Sequence, residues 1–237
     1  MNPIGVVICN YNKKDFVLQC VQSVLESKEK NFDIYVVDNA SSDGSAEALK
    51  KAYGNRITVI ENKENLGGSG GFNTGLRIVR DKGYSYFMCL DDDAAVDENA
   101  LSVLYHYMEE HTDTGMAGCR VYHTQMPDYI QQSGLLIDFD NCTAKTIGAD
   151  MPEDGSLPDV IECDTVATCA VMVRADTVKQ KGVGIMPEDN FIYWDDMEWG
   201  YRIKLAGYRV VTLAEAKALH QMGANTKKEN TFINVTV

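Results

Sequence analysis

Apolar and polar positions alternate along this chain in two rhythms. Residues 4–9 form an apolar run, after which Val17, Cys20, Val21, Val24 and Leu25 recur at helical spacing. The exchange then repeats: a strand over 32–37, a short helix over 45–53, a strand over 57–60, and a helix marked by Phe72, Leu76 and Val79. A fourth strand ends at Leu90, and Leu101, Leu104, Tyr105 and Met108 mark the helix after it. Continuous apolar strands are buried on both faces. Strands alternating with helices at this spacing predict βαβ units, hence an α/β fold with a mainly parallel sheet flanked by helices on both faces. From about Gly115 the rhythm breaks. Residues 121–164 are rich in Asp, Pro, Gly and Thr and predict an antiparallel or irregular insert. Order returns with a strand over 165–173, a helix after Ala175, a helix over 195–206 burying Met197, Tyr201 and Leu205, and a strand over 210–213. Residues 223–237 are polar and predict no element. With no internal repeat and no low-complexity linker, one domain over 1–237 is expected.

Composition narrows the function classes. The 237 residues suffice for one large α/β domain with a buried core. Lys and Arg total 22 against 35 Asp and Glu, a net charge of −13, which argues against a nucleic-acid binder, since that would need a basic face. A phosphate-bearing small ligand stays open, because a bound divalent metal inverts the local field. The seven cysteines are an odd set without a Cys-x-x-Cys pair, and several lie in apolar runs. A disulfide framework or zinc cluster is therefore not expected, and a reducing cytoplasm is. The first residues carry no basic region, and no apolar run approaches the roughly 20 residues that span a bilayer, so neither a signal peptide nor a membrane span is expected.

Candidate chemistry gathers at strand ends. Asp91, Asp92 and Asp93 follow the apolar run over 84–90, at the position where open α/β sheets bind ligands. Three adjacent like charges call for a cation, and oxygen ligands suit Mg²⁺ or Mn²⁺. Read alone, the triplet serves equally as a solvated turn capping the next helix. Asn10, Tyr11 and Asn12 end the first strand, and Asp38 and Asn39 end the second, followed by Ser41, Ser42, Asp43, Gly44 and Ser45. The third strand leads into the glycine-rich residues 65–73, among them Asn65, Gly67 and Gly68. Glycines ahead of a helix let backbone N–H groups approach a diphosphate. The segment is neither the dinucleotide fingerprint, since Asn73 stands where that motif needs Gly, nor a Walker loop.

Together these segments closely resemble the nucleotide half of the inverting family 2 glycosyltransferases, which have the Rossmann-like GT-A fold. The resemblance runs from residue 4 to about 221 and is weakest over 121–164. It implies a nucleotide-binding half over 1–115, an acceptor half over 116–222 and a tail over 223–237. Asn10, Tyr11, Asn12, Asp38, Asn65, Gly67, Gly68, Asp91 and Asp92 are then the nucleotide-sugar residues, with Asp38 reading the base. His220 matches a position where related enzymes place a metal ligand, so Asp91, Asp93 and His220 would hold Mn²⁺ or Mg²⁺. Residues 191–199 look like the family's acidic pair ahead of an acceptor-site helix. Asp196 matches the general base, while Trp194, Asp195 and Trp199 would meet the acceptor. Read alone, this acidic start is an ordinary helix-dipole arrangement and either Trp suits a core. The pairing of Asn-Leu-Gly-Gly-Ser-Gly-Gly-Phe with Trp-Asp-Asp looks most like galactofuranosyltransferases and rhamnosyltransferase-like enzymes of cell-envelope polysaccharides.

The expected partners are a UDP-sugar donor, such as UDP-galactofuranose, and a glycan or lipid-linked glycan acceptor, with no nucleic acid. The extra N-terminal and C-terminal regions of galactofuranan polymerases are missing, as is the Gln-x-x-Arg-Trp element of processive synthases. The chain reads as a minimal enzyme or as a catalytic-domain piece whose peripheral membrane association would run through the missing regions. Its expected place is the cytoplasm, at the inner membrane face if associated. A sugar-nucleotide pyrophosphorylase is disfavoured because residues 10–14 lack the Gly-rich Arg/Lys loop that class needs after strand one. A non-catalytic sugar-nucleotide-binding module is the remaining alternative.

Overall fold

A computed structural model describes residues 3–189 and 191–221. The expected polar tail over 223–237 lies outside them. In the first half the chain runs β1 (Ile4–Asn10), α1 (Lys14–Glu26), β2 (Phe32–Asp38), α2 (Ser45–Tyr53), β3 (Thr58–Glu61), α3 (Gly67–Lys82), β4 (Tyr86–Asp91), β5 (Ala94–Val96) and α4 (Ala100–Glu110). The second half runs β6 (Thr114–His123), β7 (Met126–Gln132), β8 (Leu135–Asp138), β9 (Thr143–Thr146), β10 (Met151–Pro152), β11 (Val160–Glu162), β12 (Ala170–Arg174), α5 (Asp195–Leu205) and β13 (Arg209–His220).

The central strands follow the order β3-β2-β1-β4 and are parallel to one another. Beyond β4 the sheet turns antiparallel through β12, β6 and β7. Two apolar layers sandwich it. On one face Val17, Cys20, Val21 and Val24 of α1, Leu49 of α2 and Leu101, Leu104 and Met108 of α4 pack against Ile4, Val6 and Ile8. On the other, Phe72, Leu76 and Val79 of α3 join Trp199 and Ile203 of α5 over Val7, Val37 and Phe87. Strand residues thus alternate between two covered faces, which is why β1 and β4 carry no charged or amide side chain before their last residue.

Three expectations change. The segment after Ala175 makes only a single 3₁₀ turn at Thr177–Lys179; with Gly182 and Gly184 both in the left-handed region, no longer helix propagates. In α5 the buried stripe is Trp199 and Ile203, not Met197, Tyr201 and Leu205, and Leu205 is 72% exposed. Both stripes have i, i+4 spacing, so periodicity alone does not choose between them. Tight packing chooses: a Cβ on Gly200 would stand 2.6 Å from Thr165 Cβ, so only glycine lets this face close on the sheet. Finally, β6 and β13 are long strands where the rhythm breaks or predicts a short one. β13 pairs with β5, β6 and β11 along different parts of its length, which carries the strand well past its apolar segment despite the polar residues it holds.

Register then places the polar ends. Asn10 lies opposite Asp38, and Cys9 opposite Asp91. Ala94 of β5 lies opposite His220, so the turn holding the triplet meets the end of β13.

Candidate active site

Because β4 ends at Asp91 and β5 begins at Ala94, the triplet is a tight turn with three differently aimed carboxylates. Asp91, Asp93 and His220 each offer a ligand atom within 4.8 Å of the others. His220 Nε2 stands 3.2 Å from Asp93 Oδ1 and 3.7 Å from Asp91 Oδ2. Its other ring nitrogen, Nδ1, lies 2.7 Å from Gln131 Oε1, while Gln131 Nε2 donates to the His220 carbonyl. That amide orientation makes Oε1 an acceptor, so Nδ1 carries a proton and Nε2 faces two carboxylates. Only a proton or a cation between them satisfies the arrangement. Burial pushes the imidazole pKa down, but the Asp93 hydrogen bond and the Asp91 charge outweigh it and raise the net value. The donor set, two carboxylate oxygens and one imidazole, fits Mn²⁺ or Mg²⁺. Gln131 is a positioning residue that sequence reasoning missed. It belongs to the weakly patterned insert, and nothing local distinguishes it from Gln132.

Asp92 is aimed elsewhere. Its Oδ2 accepts the Tyr11 N–H at 3.0 Å, and its Oδ1 lies 3.1 Å from Lys13 Nζ. Lys13 also reaches Asp93 Oδ2 at 2.6 Å. Asp92 therefore ties the triplet to the loop after β1, and its carboxylate, 7% exposed, is spent on those partners rather than turned outward to a nucleotide. Burial raises the Asp92 pKa to about 7 even with Lys13 beside it. Burial likewise raises Asp91, where the His220 charge opposes it. For Asp93 burial also pushes upward, yet the hydrogen bonds from His220 and Lys13 win and hold it below the ordinary value.

The nucleotide-side residues form a connected network. Asp38 accepts from Asn10 Nδ2 at 2.8 Å and from the Ser41 N–H at 3.0 Å. The Asn10 side-chain Oδ1 is buried with no partner. Asn12 receives the Ser42 N–H at 2.7 Å, and Ser41 Oγ accepts the Asn12 N–H at 3.0 Å. Asn39 donates to Asn65 Oδ1 and the Gly67 carbonyl and accepts from the Leu66 N–H, so it locks the glycine loop to the end of β2. Gly67 adopts φ +77°, and a Cβ there would lie 2.1 Å from the Phe191 carbonyl oxygen. The Gly68 N–H donates to that same oxygen at 2.9 Å, joining the glycine loop to the segment before α5.

At the start of α5, Tyr193 and Trp194 both take left-handed backbone angles, φ 69° and 68°. Such strain in bulky residues costs about 1–3 kcal/mol each and gathers at functional sites. It turns the chain so that Asp195 and Asp196 enter a cleft of about 520 Å³, lined also by Gly68, Phe72, Asp91 and Trp194. Asp196 is anchored by its carbonyl, which accepts from Thr165 Oγ1 at 2.7 Å, and its Oδ1 accepts the Met197 N–H. Burial, with the Asp195 charge beside it, raises the Asp196 pKa to about 7. Burial raises Asp195 as well. Trp194, 54% exposed, faces this cleft, but Trp199 does not. Trp199 is fully buried and donates its indole N–H to the Gly184 carbonyl, so neither ring face is open to an acceptor. It is a core residue, contrary to the expectation from sequence.

A cleft joining a metal-suited Asp/Asp/His cluster to a buried carboxylate, on a mainly parallel sheet with a glycine-rich loop, is an architecture of the GT-A type. The chain belongs to glycosyl transferase family 2, whose sequence profile matches residues 5–172. A mannosyltransferase from Pyrobaculum calidifontis, solved in complex with GDP-Man and Mn²⁺, superposes with a TM-score of 0.69 at 17% identity, covering 94% of this chain and 58% of that one. A UDP-Glc:alpha-D-GlcNAc-diphosphoundecaprenol beta-1,3-glucosyltransferase of Escherichia coli is 30% identical over 109 residues, 46% of this chain and 42% of that protein. A teichoic acid poly(glycerol phosphate) polymerase of Staphylococcus epidermidis is 27% identical over 146 residues, 60% of this chain and 19% of the polymerase. The chain spans less than half the length of these two curated relatives. No helix among the described residues is long and apolar enough to cross a membrane.

Proposed function

We propose that this chain is an inverting, metal-dependent glycosyltransferase domain that moves a hexosyl group from a UDP-sugar to a glycan or lipid-linked glycan acceptor of the cell envelope. The observation that carries the reading is that Asp91, of the Asp91/Asp93/His220 cluster, and Asp196 line one cleft. Asp91, Asp93 and His220 would hold the metal, whose chemistry when bound is Lewis-acid neutralisation of the departing diphosphate. On the chain's side, residues 10–12, Asp38 and the glycine loop hold the donor in one orientation. Asp196, ionised, takes the proton of the acceptor hydroxyl as that oxygen forms its bond to the anomeric carbon and the bond to the diphosphate breaks on the opposite face. Direct displacement of this kind inverts the anomeric centre. Trp194, at the cleft wall, offers an indole face to the acceptor, and Asp195 is the competing base.

Envelope assignment draws support from the teichoic acid polymerase, and a lipid-linked acceptor and uridine from the glucosyltransferase. A galactofuranose donor is a narrower reading resting on residues 65–72 and 194–196. Family membership leaves the pyrophosphorylase alternative without support, whereas a non-catalytic binding domain is separated by experiment. Nucleotide sugars screened by thermal shift with and without Mn²⁺ should raise the melting temperature most with a UDP-sugar and metal together. Release of UDP on adding acceptor should follow, and Asp93→Ala should lose the metal-dependent shift. Equal binding of UDP in EDTA, or tighter binding of GDP, would overturn the donor and metal assignments.

A further inference from the structure

The Lys13 ammonium is a second cationic element of the triplet, and the nucleotide-site reading of residues 10–12 makes no use of it. Its side chain is 13% exposed, against 7% for Asp92 and 4% for Asp93, so the ion pairs are largely shielded from water. Charges removed from water in this way need a partner of opposite sign, and deleting one leaves the other uncompensated. We propose that Lys13 is the resident cation of the triplet: it holds Asp92 and Asp93 in place before a divalent ion arrives and sets how tightly that ion binds. This rests on the metal site proposed above.

Oxygen usage supports it. Asp93 gives Oδ2 to Lys13 and turns Oδ1 to His220. Lys13 and an ion at the Asp91/Asp93/His220 cluster therefore share a carboxylate without competing for one oxygen. Their coupling is electrostatic: the ammonium opposes a second cation a few ångströms away and weakens its binding. The same lysine, together with the Tyr11 N–H on Asp92, ties the metal turn to the loop after β1. Metal occupancy would then be felt in the loop proposed to carry the nucleotide.

The test is Mn²⁺ binding to the full chain without donor, by calorimetry, for wild type, Lys13→Gln and Lys13→Arg. Lys13→Gln should bind Mn²⁺ roughly five- to fiftyfold tighter. Its metal-free melting temperature should drop by several degrees and be recovered by saturating Mn²⁺, while Lys13→Arg stays close to wild type. Equal or weaker binding by Lys13→Gln would overturn the role of Lys13 alone. Absence of Mn²⁺ binding by the wild-type chain would overturn the metal site and this inference with it. A second readout needs no variant. Acylation of the Lys13 amine, followed by peptide mass spectrometry, should accelerate when Mn²⁺ loosens its hold, and an unchanged rate counts against the proposal.

Discussion

The two proposed walls of the site, the loops after β1, β2 and β4 on one side and the start of α5 on the other, hold their carboxylates by different means. On the proposed nucleotide wall Asp38, Asp43 and Asp93 each accept at least two hydrogen bonds or ion pairs from neighbouring segments, whereas burial prevails at Asp91 and Asp92 and raises both. For Asp43 burial pushes the pKa up, but bonds from Ser45 and the Lys14 N–H together outweigh it and leave the carboxylate below its ordinary value. On the acceptor wall Asp195 and Asp196 are desolvated, stand beside each other, and pair with no cation among the described residues. A carboxylate that must stay ionised to organise a site needs donors. One that must take up a proton works best with a pKa near the working pH, which burial without a counter-ion produces.

The comparison breaks most visibly at Asp196. Asp196→Asn should reduce transfer by about 10²–10⁴ at saturating donor, the worth of general-base assistance, with donor affinity and melting temperature nearly unchanged. If Asp195→Asn is the inactive variant and Asp196→Asn transfers normally, the roles on this wall are exchanged.

The two tryptophans sharpen it next, because they divide stability from binding. Trp199→Ala should cost about 3–5 kcal/mol in chemical denaturation, as expected for emptying a fully buried aromatic site. Trp194→Ala should leave stability almost unchanged and raise the acceptor KM. A large loss of stability in the second variant would place Trp194 in the core.

A smaller effect is expected on the nucleotide wall. Removing one partner of a buried polar pair costs about 1–3 kcal/mol, so Asp38→Ala should weaken UDP binding roughly ten- to a hundredfold. Unchanged UDP affinity would reduce Asp38 to a support for Asn10 and Ser41.

The pH profile completes the set. Asp196 must be ionised to act, so turnover should fall as pH drops through about 7. Stability has the opposite sign. A carboxylate whose folded pKa lies above its unfolded 3.8 favours the folded state most below 3.8 and loses that contribution as pH rises through about 7. Asp196→Asn should therefore be at least as stable as wild type at pH 8, and a variant clearly less stable there would contradict the sign.

Much of this architecture is written locally. Apolar runs bounded by turns were enough to locate β1, β2, β4 and helices α1 to α4, because strands covered on both faces and helices covered on one leave different periods. The polar ends of those strands could be expected to meet for the same reason, since a parallel sheet brings the carboxyl ends of its strands together, and they do. Three-dimensional packing decided the rest. Which stripe of α5 is buried depends on Gly200 closing against Thr165, a contact between segments 35 residues apart in number. His220 meets the triplet only because β13 runs on to pair with β5, and Gln131 orients it from a strand whose pattern carries no sign of the site. Lys13 has nothing along the chain to set it apart, and it enters the site only because the loop after β1 meets the Asp91–Asp93 turn in space. The chain's own sequence determined its elements and their order, because local patterning reflects burial. Partnership among charged groups was left to the tertiary structure, because electrostatic pairing depends on distance in space and carries no period along the chain.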